Sequence, residues 1–302
     1  MKIIWQIKDG KRGHENQTRG LIQALLKYQK FEVIEINVGE QGATWLHFCL
    51  GLCPSFKNLK RPDLILGAGS QTHPTILCAS RKTGAPSVVL MSPPRLVRRY
   101  FSLCVVPAHD RQDGANVITS LGVLNPIQIS SQKMPEQGLI LLGGPSKHHD
   151  WDSQEIAHQI KRITQQNQKI TWTATTSRRS PEELTKQLSE LGAKNLQVIP
   201  VEETNSTWLP EQLSRASYVW VTEDSVSMIY EALSSGAKVG LLPVPRKRSA
   251  SRVIQGIGLL LEKKLVMPYD SNQCDLSSFT APEPLNEAER IGKIINEKFL
   301  SQ

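Results

Sequence analysis

Short apolar, β-branched runs alternate with amphipathic stretches of helical length along nearly all of the 302 residues. A strand covered on both faces reads as a continuous apolar run, and parallel strands need crossover connections. The alternation therefore specifies βαβ units built around parallel sheets. In the first half, strands are expected at KIIWQI (2–7), FEVIEINV (31–38), DLILGAG (63–69), APSVVLMS (85–92) and SLCVVPA (102–108), with helices over 14–29, 42–51 and 73–83. The pattern then lapses at NPIQISSQKMPEQ (125–137), rich in proline, serine and glutamine, which reads as an interdomain linker. It restarts with strands at GLILLGG (138–144), KITWTATT (169–176), LQVIPV (196–201), YVWVTE (218–223) and KVGLLPV (238–244), and with helices near 151–167, 181–191, 208–216, 225–235 and 250–262. The expected architecture is α/β, with two tandem, doubly wound, Rossmann-like domains at 1–130 and 138–280. A polar, proline-bearing crossing segment leads to a last helix at 285–302 that packs back on the first domain.

Composition narrows the class. With 39% hydrophobic and 21% charged residues the chain is neither disordered nor a coiled coil, and no apolar run approaches the roughly 20 residues that span a bilayer. The opening MKIIWQIKDGKRG reaches Lys8, Asp9 and Lys11 before a signal-like apolar region can form, so a soluble cytoplasmic protein is expected. The five cysteines (Cys49, Cys53, Cys78, Cys104, Cys274) lie mostly in apolar segments without metal-ligand spacing and read as reduced core residues; no metal site is expected. Lysine and arginine exceed the acids by 36 − 28 = 8, which favours an anionic partner such as a nucleotide, a phospholipid headgroup or nucleic acid.

In open α/β sheets ligands bind beyond the carboxyl ends of the strands, so the loops there are the candidate sites. After the first strand, DGKRGHENQTRG (9–20) crowds Asp9, Gly10, Gly13, His14 and Asn16 at a helix start. His14 is a candidate general base or phosphate donor, against the plainer alternative of a solvated helix cap. GAGSQTHP (67–74) brings Ser70, Thr72 and His73 before Pro74 at another helix start, and MSPPRLVRR (91–99) carries Arg95, Arg98 and Arg99 with no neighbouring acid. Those arginines read as a solvated face or as a patch for an anionic acceptor or lipid headgroup.

The second half opens its loops with GGPSKHHDWD (143–152), containing Ser146 and the pair His148–His149. Two consecutive side chains rarely converge on one ion, so a phosphate-facing loop is the better reading. TTSRRSPEEL (175–184) gives Ser177 with Arg178 or Arg179 to fork onto a diphosphate. In VTEDSVSMIYEALSSG (221–236), Asp224, Ser225 and Ser227 surround a helix start suited to phosphate, and Glu231, two turns in, is suited to accept hydrogen bonds from the vicinal hydroxyls of a ribose. A second basic stretch, PRKRSASR (245–252), follows. No GxGxxG is present, which argues against a hydride-transferring dehydrogenase.

The tandem domains and these loops resemble the GT-B fold of nucleotide-sugar glycosyltransferases. More narrowly, DGKRGHENQ (9–17), GAGSQTHP (67–74), GGPSKHH (143–149), TSRR (176–179) and TEDSVSMIYEAL (222–233), in this order, resemble the mitochondrial-fission ELM-type family. The resemblance implies a ligand cleft between the domains. It places the donor diphosphate near Ser146, Ser177, Arg178, Asp224, Ser225 and Ser227, with the ribose at Glu231. The acceptor side falls to Gly13, Asn16, Ser70, His73 and Arg95, and the base to His14 or Asp9. It also implies no cofactor, no divalent metal and no nucleic-acid partner. Glu223 and Glu231 repeat the E-x7-E spacing of many retaining members without the glycine-rich context. The expected activity is transfer of a sugar from a nucleoside diphosphate to an envelope or lipid-linked saccharide, with peripheral contact to the anionic inner membrane surface. The alternatives are a nucleotide-sugar epimerase of the same fold and a non-catalytic scaffold that binds a partner or membrane.

Overall fold

The structure is a computed structural model that describes residues 1–301 apart from 55, 57, 248–251, 281 and 282, with the backbone alone at 252 and 253. The chain divides into two units, Met1–Pro126 with Glu287–Gln302, and Ile127–Asn286.

The first unit runs β1 (Lys2–Lys8), α1 (Arg12–Leu26), β2 (Phe31–Asn37), α2 (Val38–Gln41), α3 (Trp45–Leu50), β3 (Leu64–Ala68), α4 (His73–Thr83), β4 (Ser87–Leu90), α5 (Arg95–Arg98), β5 (Leu103–Pro107) and β6 (Val117–Ser120). All six strands are parallel, in the order β2-β1-β3-β4-β5-β6. The central strands β3, β4 and β5 are buried at every position, which is why their sequences show no alternation. One face packs on Leu21, Ile22, Ala24 and Leu25 of α1 and on α11 (Glu287–Ile295), whose Ala288, Ile291 and Ile295 complete the same core. A π-helical turn, Asn296–Leu300, adds Leu300. Gly292 lets the two helices approach, since a Cβ there would stand 2.9 Å from that of Ala24.

The second unit runs β7 (Met134–Leu141), α6 (Ser153–Gln166), β8 (Thr171–Thr175), α7 (Glu182–Ser189), β9 (Leu196–Ile199), α8 (Trp208–Arg215), β10 (Ala216–Thr222), α9 (Val226–Ser234), β11 (Lys238–Leu242), α10 (Arg252–Glu262) and β12 (Met267–Pro268). Its sheet is also parallel, in the order β12-β11-β10-β7-β8-β9. Helix α6 illustrates the local logic. Asp152 caps it, accepting from Glu155 N–H at 3.0 Å, and Ile156, Ile160 and Ile163 form the apolar stripe laid on the sheet.

Three details depart from the sequence reading. The helix expected over 42–51 starts only at Trp45, after Gly42 and Ala43, where the Ala43 N–H donates to Thr75 Oγ1. Strand β7 begins at Met134, inside the segment read as linker, and exposed Met134 pairs with Ala216 ahead of a register shift. The edge strands β6 and β12 are too short to show a period. Among the described residues no helix is long and apolar enough to cross a membrane.

Candidate functional site

Each sheet reverses direction once. In the first, β1 leads to β2 on one side and the chain returns to β3 on the other; in the second, β7 leads to β8 and β9 before β10 takes its other flank. The crevices beyond the carboxyl ends of β1 and β3, and of β7 and β10, are the two topological switch points.

At the first switch point Asp9 and His14 come together. Asp9 Oδ2 lies 2.8 Å from His14 Nδ1 with the Asp9 side chain fully enclosed and His14 one-fifth exposed. Asp9 Oδ1 accepts from the Lys11 N–H at 3.2 Å, so the acid is fixed by the turn that starts α1. Across the crevice Gly69 follows β3 with φ +84°, and a Cβ there would fall 2.3 Å from His14 Cε1 and Nδ1. Only glycine fits both the backbone and the ring. The carboxylate holds the proton on Nδ1 and leaves the Nε2 lone pair as the basic position, the arrangement a general base requires.

The other first-unit candidates are dispersed. Gly13 is exposed with open space around its Cα, Asn16 is half-buried one turn further along α1, and Ser70 is exposed in the short turn before α4. His73 is 2% exposed and stands edge-on to Phe101, its Nδ1 without a partner among the described residues. Burial pushes its pKa down to about 4, so it is a neutral interior histidine. Arg95 sits on α5 beside a cavity that no residue of the Asp9–His14 pair lines.

At the second switch point the loops after four strands are tied together. Gly143 N–H donates to Thr222 Oγ1 at 2.8 Å and Gly144 N–H to Asp224 Oδ2 at 3.0 Å. Arg179 Nη2 meets the same Asp224 oxygen at 2.8 Å, and its Nη1 donates to the Gly144 carbonyl at 2.7 Å. A Cβ on Gly143 would fall 2.1 Å from Asp224 Oδ2, so glycine is required for this close approach. Ser177 Oγ donates to the Gly143 carbonyl, and Ser146 Oγ accepts from the N–H groups of His148 and His149. Arg246 grips Glu223 at 2.9–3.0 Å through Nε and Nη2, and the backbone pairs His149 with Arg246. Positions 248–251 of the basic stretch after β11 lie outside the described residues.

This network separates the second-unit candidates into framework and free groups. Asp224 is enclosed and orients Arg179 and the glycine pair, although its Oδ1 has no partner among the described residues. Glu223, paired with Arg246, is part of the framework, so the E-x7-E spacing is not two equivalent acids. Desolvation raises the Glu223 pKa, against the pull of Arg246. His149 is completely buried and burial lowers its pKa, a role that its sequence position beside His148 did not disclose. Arg178 and Arg179 are both exposed, but only Arg179 is tied into the network through Asp224 and the Gly144 carbonyl, and Ser227 is exposed on the first turn of α9. Ser225 is the N-cap residue of α9 and is buried with no side-chain cap bond. Glu231, also on α9, forms no side-chain hydrogen bond or ion pair with a described residue, and desolvation pushes its pKa up to about 7.

The chain matches the family described as Mitochondrial fission ELM1 over residues 12–299, and it belongs to that family. A relative, the uncharacterized protein RP120 of Rickettsia prowazekii (strain Madrid E), is 23% identical over 348 aligned residues, covering 97% of each chain. Among solved structures, a UDP-GlcNAc 2-epimerase from Methanocaldococcus jannaschii aligns with a TM-score of 0.57 at 13% identity, over 98% of this chain and 100% of the other. The UDP-GlcNAc 2-epimerase from Neisseria meningitidis bound to UDP-GlcNAc aligns at 0.53 and 13%, over 100% of both chains. At such identities the likeness establishes the fold, two Rossmann-like domains of the GT-B kind.

Proposed function

We propose that the protein is a metal-independent, GT-B-type glycosyltransferase that moves a sugar from a nucleoside diphosphate to an envelope or lipid-linked saccharide acceptor. Glu231 carries this reading. A desolvated carboxylate without an internal partner costs stability unless something else satisfies it, and the 2′ and 3′ hydroxyls of a ribose are donors of the right kind. The backbone N–H groups that open α9, Ser225, Ser227 and the exposed guanidinium of Arg178 supply the complement for a diphosphate.

In the reaction the acceptor hydroxyl gives its proton to His14 Nε2 as its oxygen bonds to the anomeric carbon. The bond from that carbon to the diphosphate breaks, and the diphosphate leaves with the electron pair. Asp9 stabilises the imidazolium so formed. Calorimetry on Glu231→Ala tests the donor assignment: a nucleoside diphosphate should lose affinity while inorganic pyrophosphate keeps it. Equal losses for both would remove Glu231 from the ribose role.

A second reading, a nucleotide-sugar epimerase, is favoured by the names of the two solved structures, one of them bound to UDP-GlcNAc. Isomerisation of a nucleotide sugar incubated with the protein and no acceptor would select it.

A further inference from the structure

Helix α3 is apolar on both sides. Its inner face packs Phe48 against Ala43, Cys53 and Cys78, yet Leu46 and Leu50 on its outer side are 65% and 61% exposed, with Trp45 and Leu52 beside them. A surface helix normally turns charged residues outward, so this outer face lacks a cover among the described residues. The apolar surface continues to α5. Phe48 stands edge-on to Tyr100 at 5.6 Å, and Leu96 is 81% exposed.

The same patch runs into unpaired positive charge. Arg99 lies 4.9 Å over the Tyr100 ring, and Arg95, Arg98, Arg99 and Arg111 line one cavity of about 680 Å³. None of the four arginines forms an ion pair with a described residue, whereas Arg179, Arg246 and Arg290 all do. Arg98 Nη1 donates to the Asp113 carbonyl, while its Nε is buried without a partner among the described residues. Four guanidinium groups against the single carboxylate of Asp113 leave this open cavity with net positive charge and match a phosphate, which accepts two N–H bonds from each fork it meets.

We propose that this face docks on an anionic bilayer. The arginine cavity takes the phosphate of a lipid headgroup, while Trp45, Leu46, Leu50, Leu52, Leu96 and Tyr100 enter the interfacial layer. The combination selects the occupant: aromatic and leucine side chains suit the headgroup boundary, and the arginines suit its negative surface. Neither nucleic acid nor a free sugar phosphate provides an apolar phase for the leucines. The surface belongs wholly to the first unit and the nucleotide groups to the second, so the two readings stand or fall separately.

The test is co-sedimentation of the full chain with vesicles of phosphatidylcholine, alone or mixed with phosphatidylglycerol, across a salt series. Binding should require phosphatidylglycerol and weaken as salt shortens the attraction to about 10 Å at 0.1 M. Changing Arg95, Arg98 and Arg99 together to Gln should lower the partition by about fivefold per arginine, roughly a hundredfold in all. Leu46→Glu/Leu50→Glu, with its melting transition confirmed, should abolish binding while leaving the arginines in place. Vesicle binding indifferent to either set of changes would overturn the proposal. So would binding of soluble glycerol phosphate at the arginines, read by calorimetry, with no vesicle binding at all; that result would assign the cavity to a free phosphorylated ligand.

Discussion

Replacing Glu231 with Gln has a sign and a size that follow from its surroundings. Desolvation alone raises its pKa from 4.5 to about 7, so folding favours the protonated acid. Below pH 4.5 the group is neutral in both states and costs nothing. As pH rises from there the unfolded chain ionises first, and the folded state loses stability relative to it until pH passes 7. At about 1.4 kcal/mol per pH unit the penalty is roughly 1 kcal/mol at pH 5, about 3 kcal/mol at pH 7, and levels off a few tenths higher above that. Gln keeps the shape and cannot ionise. Urea unfolding followed by tryptophan fluorescence from pH 5 to pH 8 should therefore show wild type losing about 2.5 kcal/mol that Glu231→Gln retains. Ribose hydroxyls bond the ionised form, so nucleotide affinity should rise by up to tenfold per pH unit between pH 5 and pH 7 in wild type and stay flat in the variant. Stability curves that run parallel for the two proteins would refute the desolvation argument for this half-buried acid.

His14→Ala should lower turnover by about 10² to 10⁴ while leaving donor affinity unchanged, and Asp9→Asn should do the same through the lost imidazolium partner. Steady-state rates beside calorimetry separate these from a binding defect, and near-normal turnover in His14→Ala would assign the base elsewhere. Gly143→Ala places a methyl group 2.1 Å from Asp224 Oδ2 and should destabilise the second unit by about 2 kcal/mol, read as a lower melting temperature; an unchanged transition would contradict the packing. His73 is held neutral by burial, so stability is full above its unfolded pKa of 6.5 and falls as pH drops toward 4. Between pH 7 and pH 5 wild type should lose about 2 kcal/mol more than His73→Leu, and equal losses would place His73 in contact with solvent.

The sheets were legible because β3 (LILGA) and β5 (LCVVP) are buried on both faces and have no other reading than interior strands. Strand β7 starts earlier than its sequence implies because MPEQ is exposed, and backbone pairing with Ala216, not an apolar period, makes it a strand. The Asp9–His14 pair was readable because only the tight turn that opens α1 separates the two residues, five positions apart. The division of labour between Arg178 and Arg179 was not, since only the three-dimensional approach of Asp224 and the Gly144 carbonyl selects Arg179 for the framework. His73 reads as an acceptor-side residue at a helix start before Pro74, yet Phe101, 28 positions later, encloses it. The outer face of α3 gave no signal at all: WLHFCL reads as core, and exposure is a property of the fold.

The central claim, that the second unit binds a nucleoside-diphosphate sugar, is tested most directly by thermal denaturation of the intact chain against a panel of nucleotide sugars, nucleoside diphosphates and pyrophosphate. A ligand held at 100 times its Kd adds about 2.7 kcal/mol of stability, so at least one nucleotide sugar should raise the melting temperature clearly above the shift given by pyrophosphate. A melting temperature unmoved by every nucleotide at millimolar concentration would contradict the account.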